Sequence, residues 1–177
     1  ITAEGNAAFD VLMTEPIQNL IRKYRSNLPN TVIMGAKGSG KTFLYREILR
    51  NKYWENFILS VDQKEKGETG KKTIAVPLLA SATATGFGEI MQEAVQNYNQ
   101  YNLKGKINSS VYIDNHDLVL NYDRGNHDIL GWKEIWKEII LQSLNHAYQS
   151  FEELESDLEE HKIQVIFLID GLEEIFT

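Results

Sequence analysis

The chain has 177 residues, 42% of them hydrophobic, and no cysteine, which fits one folded domain and excludes a disordered chain, a disulfide framework and a thiolate metal site. The formal net charge of −7 argues against broad adhesion to nucleic acid, so a nucleic-acid partner stays open but is not indicated. Because no apolar run approaches the roughly 20 residues that span a bilayer and the start lacks a signal-peptide pattern, we expect a cytoplasmic protein without a membrane partner.

The first part of the chain predicts a helix, a strand, a loop and a second helix. Apolar residues at three- and four-residue steps over 17–24, just after Pro16, predict an amphipathic helix. The apolar run 31–34 predicts a buried strand. The glycine-rich run 35–40 leads from that strand into a helix over residues 42–50.

Two further apolar runs follow, and the sequence leaves open which is the second core strand, or whether both are strands. They span residues 57–61 and 73–79, and a highly charged stretch between them predicts an exposed loop. Pro77 favours an edge or a strand end for the second run. Residues 89–98 then predict a helix.

Residues 102–131 have the least regular pattern, although 110–113 and 118–120 predict short strands. A short echo, Asn115-His116-Asp117 and Asn126-His127-Asp128, contains residue types that ligate metals. Its spacing matches no ligand pattern, so we interpret it as polar loop chemistry.

The last third predicts a helix, an acidic helix surface and a strand. One apolar stripe contains Trp132, Ile135, Trp136, Ile139, Ile140, Leu144 and Ala147, and the two tryptophans share it with aliphatic residues, which favours core packing over ligand stacking. The acidic residues Glu152, Glu153, Glu155, Asp157, Glu159 and Glu160 predict a solvated helix surface. Residues 165–169 predict a fully apolar strand that ends in Asp170.

The pattern Gly-x-x-x-x-Gly-Lys-Thr at Gly35, Gly40, Lys41 and Thr42 carries the clearest chemistry. Glycines allow a tight turn whose amides point at phosphate oxygens, and the following helix adds its positive end. Lys41 would bind the β- and γ-phosphates, and the Thr42 hydroxyl would ligate magnesium. The residues expected to bind nucleotide are Gly35, Lys37, Gly38, Ser39, Gly40, Lys41 and Thr42.

Asp170 provides a carboxylate at the end of an apolar strand. If this strand neighbours the strand before the loop, Asp170 lies beside the phosphates and holds the metal. Glu173 and Glu174 are the nearby carboxylates that could orient a water and take its proton. The alternative is that both glutamates only favour the start of a helix, and the sequence does not decide between the two as base.

These motifs resemble those of a known class. Residues 35–42 resemble a Walker A motif and residues 165–174 a Walker B motif, and Asp170-Gly171-Leu172-Glu173-Glu174 is similar to the STAND class of AAA-like ATPases, which includes NACHT domains. The AAA pattern with glutamate directly after the aspartate is not met, because Gly171 stands there. The resemblance implies ATP and Mg²⁺ as cofactors, ATP hydrolysis as a switch with Lys41 in a catalytic role, and a homo-oligomer formed through the rest of the protein.

We therefore expect a three-layer α/β P-loop sandwich with a parallel central sheet, in which Val32 and Val165 lie on adjacent strands. Residues 1–177 would form the N-terminal portion of one P-loop ATPase domain, with an insertion around 99–131 and a larger protein beyond it. Phe9, Val11 or Leu12 are candidates for the adenine pocket, with an ordinary core role as the alternative. Two other functions stay open: a nucleotide-binding interaction module with little turnover, and a nucleic-acid-coupled motor ATPase.

Overall fold

The computed structural model of the chain describes residues 14–25, 28, 31–62, 71–123 and 129–175. Phe9, Val11, Leu12 and His127 lie outside these residues. In chain order the described elements are α1 (Glu15–Lys23), α2 (Lys41–Arg50), α3 (Trp54–Val61), β1 (Lys72–Leu79), a 3-10 helix (Ala82–Phe87), α4 (Gly88–Asn99), α5 (Val111–Asp123), α6 (Ile129–Ser143), α7 (Phe151–Glu160), β2 (Ile163–Ile169) and α8 (Leu172–Ile175).

The two described strands pair in parallel, so the chain has a mixed α/β fold. The register runs from Lys72 opposite Ile163 to Pro77 opposite Leu168 and becomes irregular directly after Pro77, which has no N–H to donate to a ladder. Every residue of β1 after Lys72 is buried, so helices and loops cover both faces of this strand. The strands predicted over 73–79 and 165–169 are confirmed.

The most strongly periodic helices also match their predictions. Helices α1, α2 and α4 lie where the apolar spacing predicts them. Helix α6 also does, except at its end: it ends at Ser143, so Leu144 and Ala147 of the predicted stripe lie outside it. Ile135 and Ile139 of α6 are buried against the end of β1, and Trp132 and Trp136 pack beside them at partial exposure. The interpretation of both tryptophans as packing residues is confirmed. Helix α7 exposes most of its acidic residues, as predicted.

The strand considered for residues 57–61 is wrong, because this run belongs to helix α3. Trp54, Phe57 and Ile58 are buried while Leu59 and Ser60 are exposed, which is the one-sided burial of a helix. A short apolar run cannot be assigned to strand or helix by periodicity alone.

The short strands predicted for 110–113 and 118–120 are also wrong, because residues 111–113 and 118–120 belong to helix α5. Burial of Val111, Tyr112, Asn115 and Val119 follows helical spacing. Asn115 obscured this pattern, since a polar residue occupies a core position: its amide donates to the Leu78 carbonyl at 2.8 Å and to the Ser143 hydroxyl at 2.9 Å. The Asn115-His116-Asp117 segment is therefore helical and not a loop.

The run 31–34 has no regular secondary structure, which corrects the prediction of a buried strand there. Val32 is 84% exposed and Met34 is 88% exposed. The partner of Val165 is Ile74 of β1, so the expectation that Val32 and Val165 lie on adjacent strands is wrong. Apolar β-branched residues favour a strand only where a neighbour accepts their backbone hydrogen bonds.

The parallel pairing brings two chain segments to one edge of the sheet. Residues that follow β1 and residues that follow β2 emerge side by side, and the Asp170 amide donates to the Leu79 carbonyl at 3.0 Å. Within the described residues, no helix combines the length and apolar character that crossing a membrane requires.

Candidate functional site

The glycine-rich loop between residues 35 and 40 is a tight turn with two left-handed glycines. Gly38 has φ +83° and Gly40 has φ +88°, a region that side chains with a Cβ rarely adopt. The Ser39 amide donates to the Ala36 carbonyl at 3.1 Å and closes the turn. The loop therefore has the backbone freedom that the sequence predicts for a phosphate-binding turn.

Helix α2 begins at Lys41, directly after this turn. Gly40 is its N-cap, and the Leu44 amide donates to the Gly40 carbonyl at 2.9 Å. The first amides of a helix have no acceptor within the helix, and they carry its partial positive charge. The start of α2 thus presents N–H groups and positive potential at the loop.

Lys41 folds its side chain back over the loop. Its Nζ donates to the Gly35 carbonyl at 2.9 Å and to the Ala36 carbonyl at 3.4 Å. The ammonium is therefore held at the turn and not extended into solvent. Lys37, in contrast, lies on the exposed surface of the same turn.

Asp170 links the end of β2 to the start of α2. Its Oδ2 accepts a hydrogen bond from the Thr42 hydroxyl at 2.9 Å, although 128 residues separate the two in the sequence. The same oxygen accepts a hydrogen bond from the Ser81 hydroxyl, also at 2.9 Å. The structure therefore brings together the two residues that the sequence predicts as metal ligands.

The charge of Asp170 is buried, since the residue is 8% exposed. Within the described part of the chain, no lysine, arginine or histidine forms an ion pair with Asp170. The donors to its carboxylate there are the hydroxyls of Thr42 and Ser81. A buried carboxylate is costly unless a positive charge compensates it. A cation at the mouth of the loop would supply that charge.

The oxygen donors suit magnesium better than a transition metal. Mg²⁺ takes one or two carboxylates together with substrate phosphates and water, and does not need a cage made by the protein alone. Among the residues that the structure describes, no group of three or more His, Cys, Asp or Glu could hold a metal ion. Thr42 and Asp170 are compatible with a metal that shares its coordination with a nucleotide.

Tyr45 lies in the core behind this carboxylate. Burial raises the pKa of Tyr45 well above its usual value, and the nearby negative charge of Asp170 raises it further. The Tyr45 hydroxyl contacts the Met91 sulfur at 4.0 Å. Tyr45 therefore stays neutral and packs beneath the site, where it offers Asp170 no positive charge.

Glu173 and Glu174 lie on the surface, on the four-residue helix α8. Gly171, with φ +88°, turns the chain between Asp170 and this helix, and the Glu174 amide donates to the Gly171 carbonyl at 3.0 Å. Both glutamates occupy the first turn, where acidic residues are favourable whatever their function. Both lie close to Asp170 in the chain, and this position fits a general base as well as a residue that only favours the start of a helix.

Sequence reasoning missed Ser81 as a member of this site. Ser81 follows β1 and is 3% exposed. One signal was available: it is the first polar residue after the apolar run 73–80, and polar residues at the carboxyl ends of parallel strands often lie at sites. Only the pairing of β1 with β2 shows that Ser81 lies next to Asp170.

Comparison of the chain with protein-family models, with curated proteins and with solved structures gave no match.

Proposed function

We propose that this chain is the nucleotide-binding part of a Mg²⁺-dependent P-loop ATPase that acts as a STAND-like switch within a larger protein. The observation that carries the proposal is the hydrogen bond between Thr42 and Asp170. Thr42 closes a phosphate-loop pattern, and Asp170 directly follows the apolar strand β2, far away in the sequence. Their contact is the arrangement that a shared metal site requires.

Binding of the triphosphate would rest on the loop and on the start of α2. The left-handed glycines Gly38 and Gly40 let backbone amides turn inward, and the helix end adds positive potential. Lys41 already lies at this turn, so its ammonium can bind phosphate oxygens without a large movement. Gly35, Lys37 and Ser39 complete the proposed nucleotide contacts.

The metal would be held by Thr42 and Asp170. Magnesium supplies charge neutralisation of the phosphates when it is bound. Burial of the Asp170 carboxylate strengthens its attraction for a cation, because little solvent competes there. The two hydroxyl donors keep the carboxylate turned toward the loop.

Hydrolysis would need a water oriented by a carboxylate, and we assign this role to Glu173 or Glu174. Both lie within four residues of Asp170 and at the surface, where water reaches them. The finer fold that we propose is a three-layer P-loop sandwich, supported by the burial of both faces of β1. A cytoplasmic location and assembly through the rest of the protein belong to the same proposal.

One observation favours a second function, a nucleotide-binding module with little turnover. Glu173 and Glu174 are both exposed, whereas a general base must be held within hydrogen-bond reach of the water that it activates. Such a module would bind ATP through the same loop but release phosphate slowly. The two functions therefore differ in turnover and share their binding residues.

The test is calorimetric binding of Mg²⁺ with a slowly hydrolysed ATP analogue, followed by phosphate release with ATP, in the full-length protein. We expect Lys41→Ala to weaken nucleotide binding about 10- to 100-fold, because charge-assisted hydrogen bonds contribute about 1.5–3 kcal/mol. Lys133→Ala, at an exposed position of α6, is the matched control and should bind as the wild type does.

Each result has a defined meaning. Absence of nucleotide binding by the wild-type protein would overturn the proposal. Tight binding without phosphate release at any protein concentration would favour the module. Binding with release that Lys41→Ala abolishes would support the ATPase.

A further inference from the structure

Ser81 is fixed to Asp170 more closely than packing alone requires. Its hydroxyl donates to Asp170 Oδ2 at 2.9 Å across 89 positions of the sequence. A buried serine commonly bonds a carbonyl in its own segment, as Ser143 does with the Ile139 carbonyl. Ser81 bonds a charged side chain on the neighbouring strand end.

The segment around Ser81 also holds the backbone of Asp170. The Leu79 carbonyl accepts from the Asp170 amide at 3.0 Å, and Gly171 packs directly against Ser81. The end of β1 therefore contacts the main chain of Asp170, its carboxylate and the following residue, Gly171. A carboxylate tied in this way has few rotamers left.

Thr42 bonds the same carboxylate oxygen from the opposite part of the sequence. The two hydroxyls differ in burial, since Ser81 is almost fully buried and Thr42 is half-buried. Thr42 lies at the loop, where a phosphate and its metal would bind. Ser81 is buried at the end of β1, so a ligand at the loop would leave its hydrogen bond to Asp170 in place.

We propose that Ser81 is a positioning residue that orients the Asp170 carboxylate toward a divalent cation bound with a nucleoside diphosphate or triphosphate. The proposal rests on the function proposed above. Ser81 contacts neither the nucleotide nor the cation and acts through Asp170. Hydrogen-bond partners of metal ligands commonly tune metal affinity in this way.

The test uses Mn²⁺ as the probe and measures its affinity for the full-length protein saturated with ADP by electron paramagnetic resonance. We expect Ser81→Ala to weaken Mn²⁺ binding about 10-fold or more, in line with the loss of other such partners. ADP affinity measured in EDTA should change less than about 2-fold, since the hydroxyl acts on the metal ligand alone. A residue needed only for packing would lower both affinities together or neither.

Ser110→Ala is the matched control, because the Ser110 hydroxyl donates to the Asp114 carboxylate at 2.8 Å on an exposed part of the structure. It removes a serine–aspartate hydrogen bond and should leave Mn²⁺ binding unchanged. Ser81→Thr keeps a hydroxyl, and we expect it to recover much of the lost affinity. In an Asp170→Asn background, Ser81→Ala should cause no further loss.

If Ser81→Ala does not fold, Ser81→Cys keeps the shape of the side chain with a slightly larger atom and a much weaker donor, and it should still weaken Mn²⁺ binding. Equal Mn²⁺ affinity in wild type, Ser81→Ala and Ser81→Cys would overturn the assignment of Ser81 alone. A wild-type protein that binds neither ADP nor Mn²⁺ would overturn the proposed function instead.

Discussion

Gly171 lies so close to Ser81 that no other residue fits at its position without a shift of the backbone. A Cβ at residue 171 would lie 2.6 Å from the Ser81 Cα, and Gly171 has φ +88°. The glycine after Asp170 is thus explained by contact with the end of β1 and by backbone conformation. The two strand ends can approach only because this side chain is missing.

Replacement of Gly171 by alanine should therefore destabilise the protein. We expect a loss of about 2–4 kcal/mol in the free energy of unfolding, from the left-handed backbone and the contact with Ser81 together. Chemical denaturation measures it. Gly88→Ala is the control, because a Cβ at Gly88 meets nothing within 4 Å; equal stability of the two variants would contradict this explanation.

The Thr42 hydroxyl should matter for metal-dependent binding and little for binding without metal. Thr42→Val keeps the shape and removes the hydroxyl that bonds Asp170. We expect the increase in ADP affinity caused by Mg²⁺ to fall about 10-fold, whereas affinity in EDTA changes little. Calorimetry with and without Mg²⁺ measures both values, and Thr42→Ser should behave as the wild type does. An unchanged Mg²⁺ effect in Thr42→Val would argue against metal ligation by this residue.

The two glutamates of α8 should differ from each other in their effect on turnover. If one of them is the base, its replacement by glutamine lowers the rate of phosphate release about 100-fold or more and leaves ATP affinity nearly unchanged. Single variants Glu173→Gln and Glu174→Gln, and the double variant, identify it. Glu159→Gln, at an exposed position of α7, serves as the control. A double variant with unchanged turnover would remove both residues from the proposed chemistry.

Alkaline pH should weaken the fold through its buried tyrosines. Burial, then the hydrogen bond to Asp157, raises the pKa of Tyr148 to about 12 from its usual value of 10.0. The folded state therefore keeps this proton longer than the unfolded chain does, so the stabilisation is complete below pH 10 and is lost as the pH rises toward 12. Urea denaturation between pH 8 and 11.5 should show this fall, with a smaller slope in Tyr148→Phe. An identical slope in both proteins would contradict the raised pKa.

Periodicity identified helix α6, and a continuous apolar run identified strand β2. Helix α6 and strand β2 were predicted because their apolar residues leave little choice of structure. Residues 57–61 could not be assigned, since the burial of Trp54, Phe57 and Ile58 appears only when the helix is extended by one turn toward its start. Helix α5 was missed because Asn115 fills a core position with an amide that pairs with Leu78 and Ser143.

The part of the site that consists of short sequence motifs was predictable. Thr42 and Asp170 were expected to meet, although the adjacency expected for Val32 and Val165 is not the one that the structure shows. The neighbour of β2 is β1, and the choice of neighbour depends on packing across the whole domain. Ser81 depends on that choice, so its place after an apolar run could not by itself connect it with Asp170.

The position of the Lys41 side chain has an energetic consequence. Its ammonium already has two carbonyl oxygens of its own loop as acceptors, those of Gly35 and Ala36. Any incoming anion must outcompete these internal oxygens, so the affinity of the loop reflects a difference between two sets of contacts. The Lys41 ammonium therefore has hydrogen-bond acceptors before a ligand binds. Anions of low charge should bind weakly, because their attraction for the ammonium does not exceed that of the two carbonyl oxygens.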